Sequence, residues 1–186
     1  ILKELQALII RSKKIRFEGN GYGEEWVVEA EKRGLSNLKD TPRALDIWAK
    51  KSTVDLFNKM GILTPVELEA RHDIELEKYV MEIQIEARIM GDLAKNHIIP
   101  ATIEYQNKVI KNIQGLMDIM GAKEGKELAK TQMIIVRSIS KHVNALNDLV
   151  NEMVDARKEA NLITGNRDKA FAYCDKVKSF FDDRRN

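Results

Sequence analysis

The stretch ISKHVNALNDLVNEM, residues 139–153, decides the fold class of this 186-residue chain. Its apolar residues recur in alternating steps of four and three residues, at Ile139, Val143, Leu146, Val150 and Met153. This spacing keeps one face of an α-helix apolar and is typical of a seam that packs against neighbouring helices. The stretch therefore predicts a long helix whose partners are adjacent helices of the same chain or helices from another subunit.

Helical patterns continue on both sides of this seam. Thr64-Pro65-Val66-Glu67 has the form of a capping box with proline at the first helical position, which predicts the start of a second long helix. That helix carries apolar residues such as Ile74, Ile83 and Met90, and should kink or end at Pro100, which lacks a backbone donor. The predicted fold is all-α: long antiparallel helices form a bundle-like body over residues 64–186, with a short-helix N-terminal appendage over residues 1–63.

The amino-acid composition limits which binding partners and which cellular compartment are to be expected. The chain has 31 basic and 29 acidic residues, and a net charge of +2 gives no electrostatic reason to expect nucleic acid or an anionic membrane as a partner. Its single cysteine, Cys174, fits a reducing compartment, and its apolar runs are too short to span a bilayer. We expect a soluble, cytoplasmic protein. Helical spacing that begins at Ile1 itself suggests a piece of a longer polypeptide.

Three groups of residues have the composition of a reactive site, and each has a simpler interpretation. The glycines of residues 19–23 lack the spacing of a dinucleotide-binding loop and predict a tight turn. Glu69 and His72 form a single Glu-x-x-His motif, whereas a di-metal oxidase bundle needs two, so we expect ordinary solvated residues. Cys174 lies among apolar residues of the last helix and is expected to be buried and unreactive. We therefore predict no catalytic, cofactor-binding or metal-binding residue.

Residues 15–38, IRFEGNGYGEEWVVEAEKRGLSNL, resemble the segment that follows the catalytic core in type III glutamine synthetases. The residues shared with that family's signature are Asn20, Gly21, Tyr22, Glu25, Trp26, Glu29, Ala30, Arg33, Gly34 and Leu35. Short matches downstream, at residues 56–57, 67–71, 83–87, 99–101 and at Tyr105, look like the helical C-terminal region of the same family. Beyond Tyr105 the likeness lies in helical character more than in motifs.

This resemblance implies a fragment of an enzyme that ligates ammonia to glutamate at the expense of ATP. In the family the reaction uses Mg²⁺ or Mn²⁺ and takes place in large oligomers. The family's residues for metal, nucleotide and glutamate lie upstream of this segment, and no motif here matches them. The implied partners are an upstream catalytic domain of the same polypeptide and further copies of the parent, and the isolated piece is expected to be inactive.

Two large aromatic side chains beside a glycine turn suit a docking edge. We expect Tyr22 and Trp26, together with Asn20, to pack against the missing catalytic domain. An alternative from a different class is a free-standing helical-bundle module for protein interaction or sensing.

Overall fold

The computed structural model describes residues 1–182, and every regular element within them is helical. The all-α prediction is confirmed. The α-helices are α1 Leu2–Arg11, α2 Glu24–Lys32, α3 Thr41–Leu45, α4 Lys51–Lys59, α5 Pro65–Asp92, α6 Ile99–Met120, α7 Ala122–Leu128, α8 Lys130–Asn161, α9 Asn166–Ala172 and α10 Ser179–Asp182. A 3₁₀ turn, Ser12–Ile15, follows α1, and π-helical turns occupy Leu93–Ile98 and Tyr173–Val177.

The chain divides into two compact units, Ile1–Ala44 and the part that begins at Leu45. In the first unit α2 buries Ala30 completely, while α1 buries none of its residues. The apolar side chains of α1 are all at least half exposed: Leu2, Leu5, Leu8, Ile9 and Ile10. The amphipathic spacing of α1 therefore predicted the helix correctly, but its apolar face is not buried in the structure.

The core of the second unit lies where α5, α8, α9 and the second π-helical turn meet. Its buried members are Leu76, Tyr79, Ile83, Ala87, Met153, Ala160, Ala170, Tyr173 and Val177. The Tyr173 hydroxyl donates to Asn161 Oδ1 at 2.7 Å, and burial raises the pKa of this tyrosine. Beyond this core α6 and α8 run as an antiparallel pair, with α7 packed on the end of α6.

The long helix α5 begins as predicted but turns a different face inward. Thr64 and Glu67 form the capping box, with Pro65 at the first helical position. The inward face carries Leu68, His72, Leu76, Tyr79, Ile83 and Ala87. Ile74 is 60% exposed and Met90 is 40% exposed, so these two apolar residues do not belong to the core. A histidine and a tyrosine lie inside in their place.

Two departures from the expected pattern fall at the π-helical turns. The long helix is interrupted before Pro100 and not at it. The α-helical hydrogen bonding of α5 ends at Asp92, the π-helical turn follows, and α6 begins at Ile99. Pro100 then falls in a first helical turn, where its missing amide costs little. In the last helical segment Tyr173 and Val177 are the fully buried residues, and Cys174 between them is half-buried and not fully buried as expected.

Candidate docking surface

The glycine cluster of residues 19–23 folds into the tight turn that the sequence predicted. The Asn20 side-chain oxygen accepts from the Tyr22 amide at 3.0 Å, and the Asn20 carbonyl accepts from the Gly23 amide at 3.0 Å. The Gly23 carbonyl then accepts from the Trp26 amide at 3.1 Å and leads the chain into α2. Asn20 thus bonds its own backbone two residues ahead, a motif that fixes a turn without help from elsewhere.

The far end of α2 closes with a second local motif built from signature residues. Gly34 has a φ of +68°, its amide donates to the Glu31 carbonyl at 2.9 Å, and the Leu35 amide donates to the Ala30 carbonyl at 2.8 Å. These paired bonds define a Schellman cap, which favours glycine at the left-handed position. Ala30, Gly34 and Leu35 therefore serve to end the helix and pack it.

Trp26 and Tyr22 have different environments. The Trp26 ring packs on Phe17, with centroids 4.9 Å apart, and is half-buried within the first unit. Tyr22 is fully exposed on the glycine turn, and Asn20 is exposed beside it. The turn thus presents one aromatic side chain outward while the other anchors it.

Arg33 supports this arrangement from the end of α2. Its guanidinium lies 5.9 Å from the centroid of Phe17, donates to the carbonyl of Arg16, and donates to Glu29 at 2.5 Å. The bond from Arg33 lowers the pKa of the Glu29 carboxyl. Arg33 therefore connects the strand-like residues before the turn to the helix after it.

The expectation for His72 was wrong. Glu69 is exposed, as predicted, but His72 is only 6% exposed and lies on the inward face of α5. Its Nε2 atom is 3.7 Å from Asp46 Oδ1, and Asp46 in turn accepts from the Arg167 guanidinium at 2.9 and 2.7 Å. The bond to Asp46 raises the pKa of Arg167. The three residues are far apart in sequence, and no local motif marks their association.

Neither a metal cluster nor a membrane span stands out in the part of the chain that the structure describes. Over residues 1–182 no three His, Cys, Asp or Glu side chains are grouped so that they could hold a metal ion. None of the described helices is both long enough and apolar enough to cross a membrane.

Comparison with known proteins places this sequence in a family. Residues 1–117 match the family model described as glutamine synthetase C-terminal domain. The chain is 38% identical over all 186 residues to a glutamine synthetase from Bacteroides fragilis (strain YCH46), and covers 26% of that protein.

Two further relatives give the same picture. The chain is 28% identical over 181 residues, 97% of its length, to a glutamine synthetase from Butyrivibrio fibrisolvens, and 28% identical over 187 aligned positions to a type-3 glutamine synthetase from Dictyostelium discoideum. It covers 25% of each. The chain thus spans about a quarter of the length of the curated relatives that it matches. Because the family model matches more than half of its residues, the chain belongs to the glutamine synthetase C-terminal domain family.

Proposed function

We propose that this chain is the C-terminal helical part of a longer polypeptide that forms glutamine from glutamate and ammonia with ATP. The observation that carries this proposal is the family match over residues 1–117, combined with relatives about four times as long as the chain. In this arrangement the helical part has a structural role, and the chemistry takes place in the upstream domain of the same polypeptide.

The signature residues support a structural role for this part. Asn20 fixes a turn, Gly34 caps α2, and Arg33 connects the two sides of the first unit. We assign ATP and the divalent metal, Mg²⁺ or Mn²⁺, to the upstream domain, and we propose that the parent is a cytoplasmic homo-oligomer. A single cysteine, half-buried against the core, suits a reducing compartment.

Tyr22 is the best candidate for a contact with the upstream domain, with Asn20 beside it and Trp26 behind it. Aromatic residues are enriched at interfaces because they bury a large area with few rotatable bonds. The turn that carries Tyr22 is held by its own hydrogen bonds and by the Phe17–Trp26 contact, so little ordering is needed on docking. We place the docking segment within residues 1–63.

The test uses the full-length protein with Tyr22→Ala. We expect a lower rate of glutamine formation or a smaller oligomer, measured by a coupled assay and by light scattering. Val28→Ala is the matched control, because Val28 is an exposed apolar residue on the opposite side of α2 from Ala30. Trp26→Ala is less informative, since loss of the Phe17 contact would also destabilise the first unit.

Equal activity and equal oligomer size for Tyr22→Ala and Val28→Ala would refute the docking assignment. Removal of residues 15–186 from the full-length protein gives a second test. Full activity and an unchanged oligomer after that truncation would refute the structural role itself.

A further inference from the structure

Two side-chain hydrogen bonds define how the last turns of α5 and the π-helical turn Leu93–Ile98 face the second half of α8. The Gln84 amide donates to Asn161 Oδ1 at 3.5 Å, and the Lys95 ammonium donates to Asn151 Oδ1 at 2.6 Å. In each helical segment the two bonded residues are about three turns apart, and their order is reversed between the segments. The segments therefore run antiparallel, and the residues between the two bonds lie opposite each other in pairs.

This register places Arg88 opposite Arg157. Arg88 is one turn after Gln84 along α5, and Arg157 is one turn before Asn161 along α8, so both lie beside the same bonded pair. The positive charges of both arginines reach Tyr173: burial raises the pKa of its hydroxyl, and Arg157 and Arg88 counteract that rise. The two guanidinium groups therefore share one region of the groove between α5 and α8.

Neither of these arginines has a carboxylate partner among the described residues 1–182. No ion pair or hydrogen bond from the side chain of Arg88 or Arg157 is found there. On α8 the carboxylate of Asp155 bonds instead to Lys158, at 2.9 Å. Two cations that face each other without an anion repel, and an anion placed between them would be attracted by both.

A surface cavity of about 280 Å³ lies at this place. The charged residues that line it are three bases, Arg88, Lys95 and Arg157, and one acid, Asp92. The Asp92 carboxylate accepts from the Asn96 amide at 2.6 Å, within the same helical segment. Three positive charges against one negative charge leave the cavity with an excess of two positive charges.

We propose that this cavity binds a phosphate group, as inorganic phosphate or as a small phosphate monoester. A guanidinium presents its N–H groups in a planar fork that matches phosphate oxygens, and an ammonium adds a compact charge with further donors. A phosphate monoester carries a charge of about −1.5 to −2 near pH 7 and has three strongly accepting oxygens. It therefore balances the excess charge, whereas a single carboxylate ligand would balance only half of it. This inference goes beyond the proposed formation of glutamine and does not depend on it.

The first experiment measures binding of radiolabelled inorganic phosphate by equilibrium dialysis, with the full-length protein at low ionic strength. We expect the wild type to bind one phosphate per chain more than Arg88→Gln/Arg157→Gln. Each single substitution should raise the dissociation constant of that phosphate by about tenfold or more, because hydrogen bonds between charged groups are lost. Phosphate bound by other parts of the full-length protein contributes equally to all variants.

Two arginines outside the cavity provide matched controls. Arg71→Gln in α5 and Arg137→Gln in α8 remove the same charge from exposed positions of the same two helices. Both variants should bind phosphate as the wild type does, and circular dichroism melts establish that each variant folds. A double variant that binds as much phosphate as the wild type would overturn the proposal. Controls that lose as much binding as the cavity variants would overturn it too.

The second experiment identifies the class and the source of the anion by competition against labelled phosphate. Acetate at the same ionic strength should displace little of it, and displacement by acetate as complete as by unlabelled phosphate would overturn the choice of a phosphate group. Glycerol phosphate distinguishes the two sources. Displacement by glycerol phosphate supports a phosphate monoester as the ligand, and failure to displace supports inorganic phosphate itself.

Discussion

Gly125 shows at the scale of one residue how closely α7 and α6 pack. A Cβ atom at this position would lie 2.5 Å from Met117 Cα and 2.9 Å from the Leu116 carbonyl carbon. Both neighbours are backbone atoms, which cannot move aside as a flexible side chain can. Gly115, in the interior of α6, has no atom within 4 Å of the same position. The close packing of α7 on α6 therefore requires glycine at position 125, whereas position 115 has room for a larger side chain.

This contrast gives a prediction for two alanine variants. Gly125→Ala should lower the free energy of unfolding by about 2 kcal/mol, because the helices must separate to admit a methyl group. Gly115→Ala should raise it by about 0.5–1 kcal/mol, because alanine restricts the unfolded chain and fits a helix interior. Urea titrations of both variants measure the difference. Equal effects at the two positions would contradict the close packing of α7 on α6.

At the residue scale, sequence reasoning succeeded where the cause is local and failed where it is not. The turn at residues 19–23 follows from glycine and asparagine chemistry within five residues. His72 is buried next to Asp46, which pairs with Arg167, and the fold brings these residues together from distant parts of the chain. Likewise, the sequence marked Tyr22 and Trp26 as a pair, but only the contact with Phe17 separates the anchor from the exposed ring.

At the scale of the element, the start of α5 is the clearest local signal. Thr64 accepts from the Glu67 amide at 3.3 Å, and the Glu67 carboxylate accepts from the Thr64 amide at 2.8 Å and from its hydroxyl at 2.7 Å. The bond from the Thr64 amide is the main reason why the pKa of Glu67 is lowered. The carboxylate half of the cap therefore contributes its full stability only while Glu67 is ionised.

We expect Thr64→Ala to cost about 1 kcal/mol of unfolding free energy at neutral pH. Because the pKa of Glu67 is lower in the folded chain, its contribution is present above the unfolded value of about 4.3 and is lost as the pH falls through the lowered value. Glu67→Gln should therefore reduce the loss of stability on acidification. Glu69→Gln, an exposed substitution outside the cap, serves as the control. Thermal melts across the acid range measure the stability of both variants. An equal loss of stability on acidification in the two variants would contradict a role for the ionised Glu67 in the cap.

The faces of the elements were harder to predict than their existence. Apolar spacing predicted that Ile74 and Met90 belong to the buried face of α5, because histidine and tyrosine were not counted as residues of that face. The actual inward face of α5 includes His72 and Tyr79, and it keeps helical spacing only when they are counted. The π-helical turns add a second difficulty, since they shift the phase of a helix without any proline or glycine at the shifted positions.

At the scale of the whole molecule, the fold class followed from the periodicity, and the family from the signature of residues 15–38. Neither the periodicity nor the signature predicted which surfaces of the molecule remain exposed. Whether an exposed apolar residue belongs to an interface depends on how the neighbouring helices are placed around it.

The most direct test of the proposed role compares glutamine formation by the full-length protein and by the 186-residue chain alone. Both are supplied with glutamate, ammonia, ATP and Mg²⁺, and glutamine and released phosphate are measured. We expect the full-length protein to form glutamine with one phosphate released for each, and the isolated chain to form none. Glutamine formation by the isolated chain, or its absence from an intact full-length protein, would contradict a structural domain that depends on an upstream catalytic one.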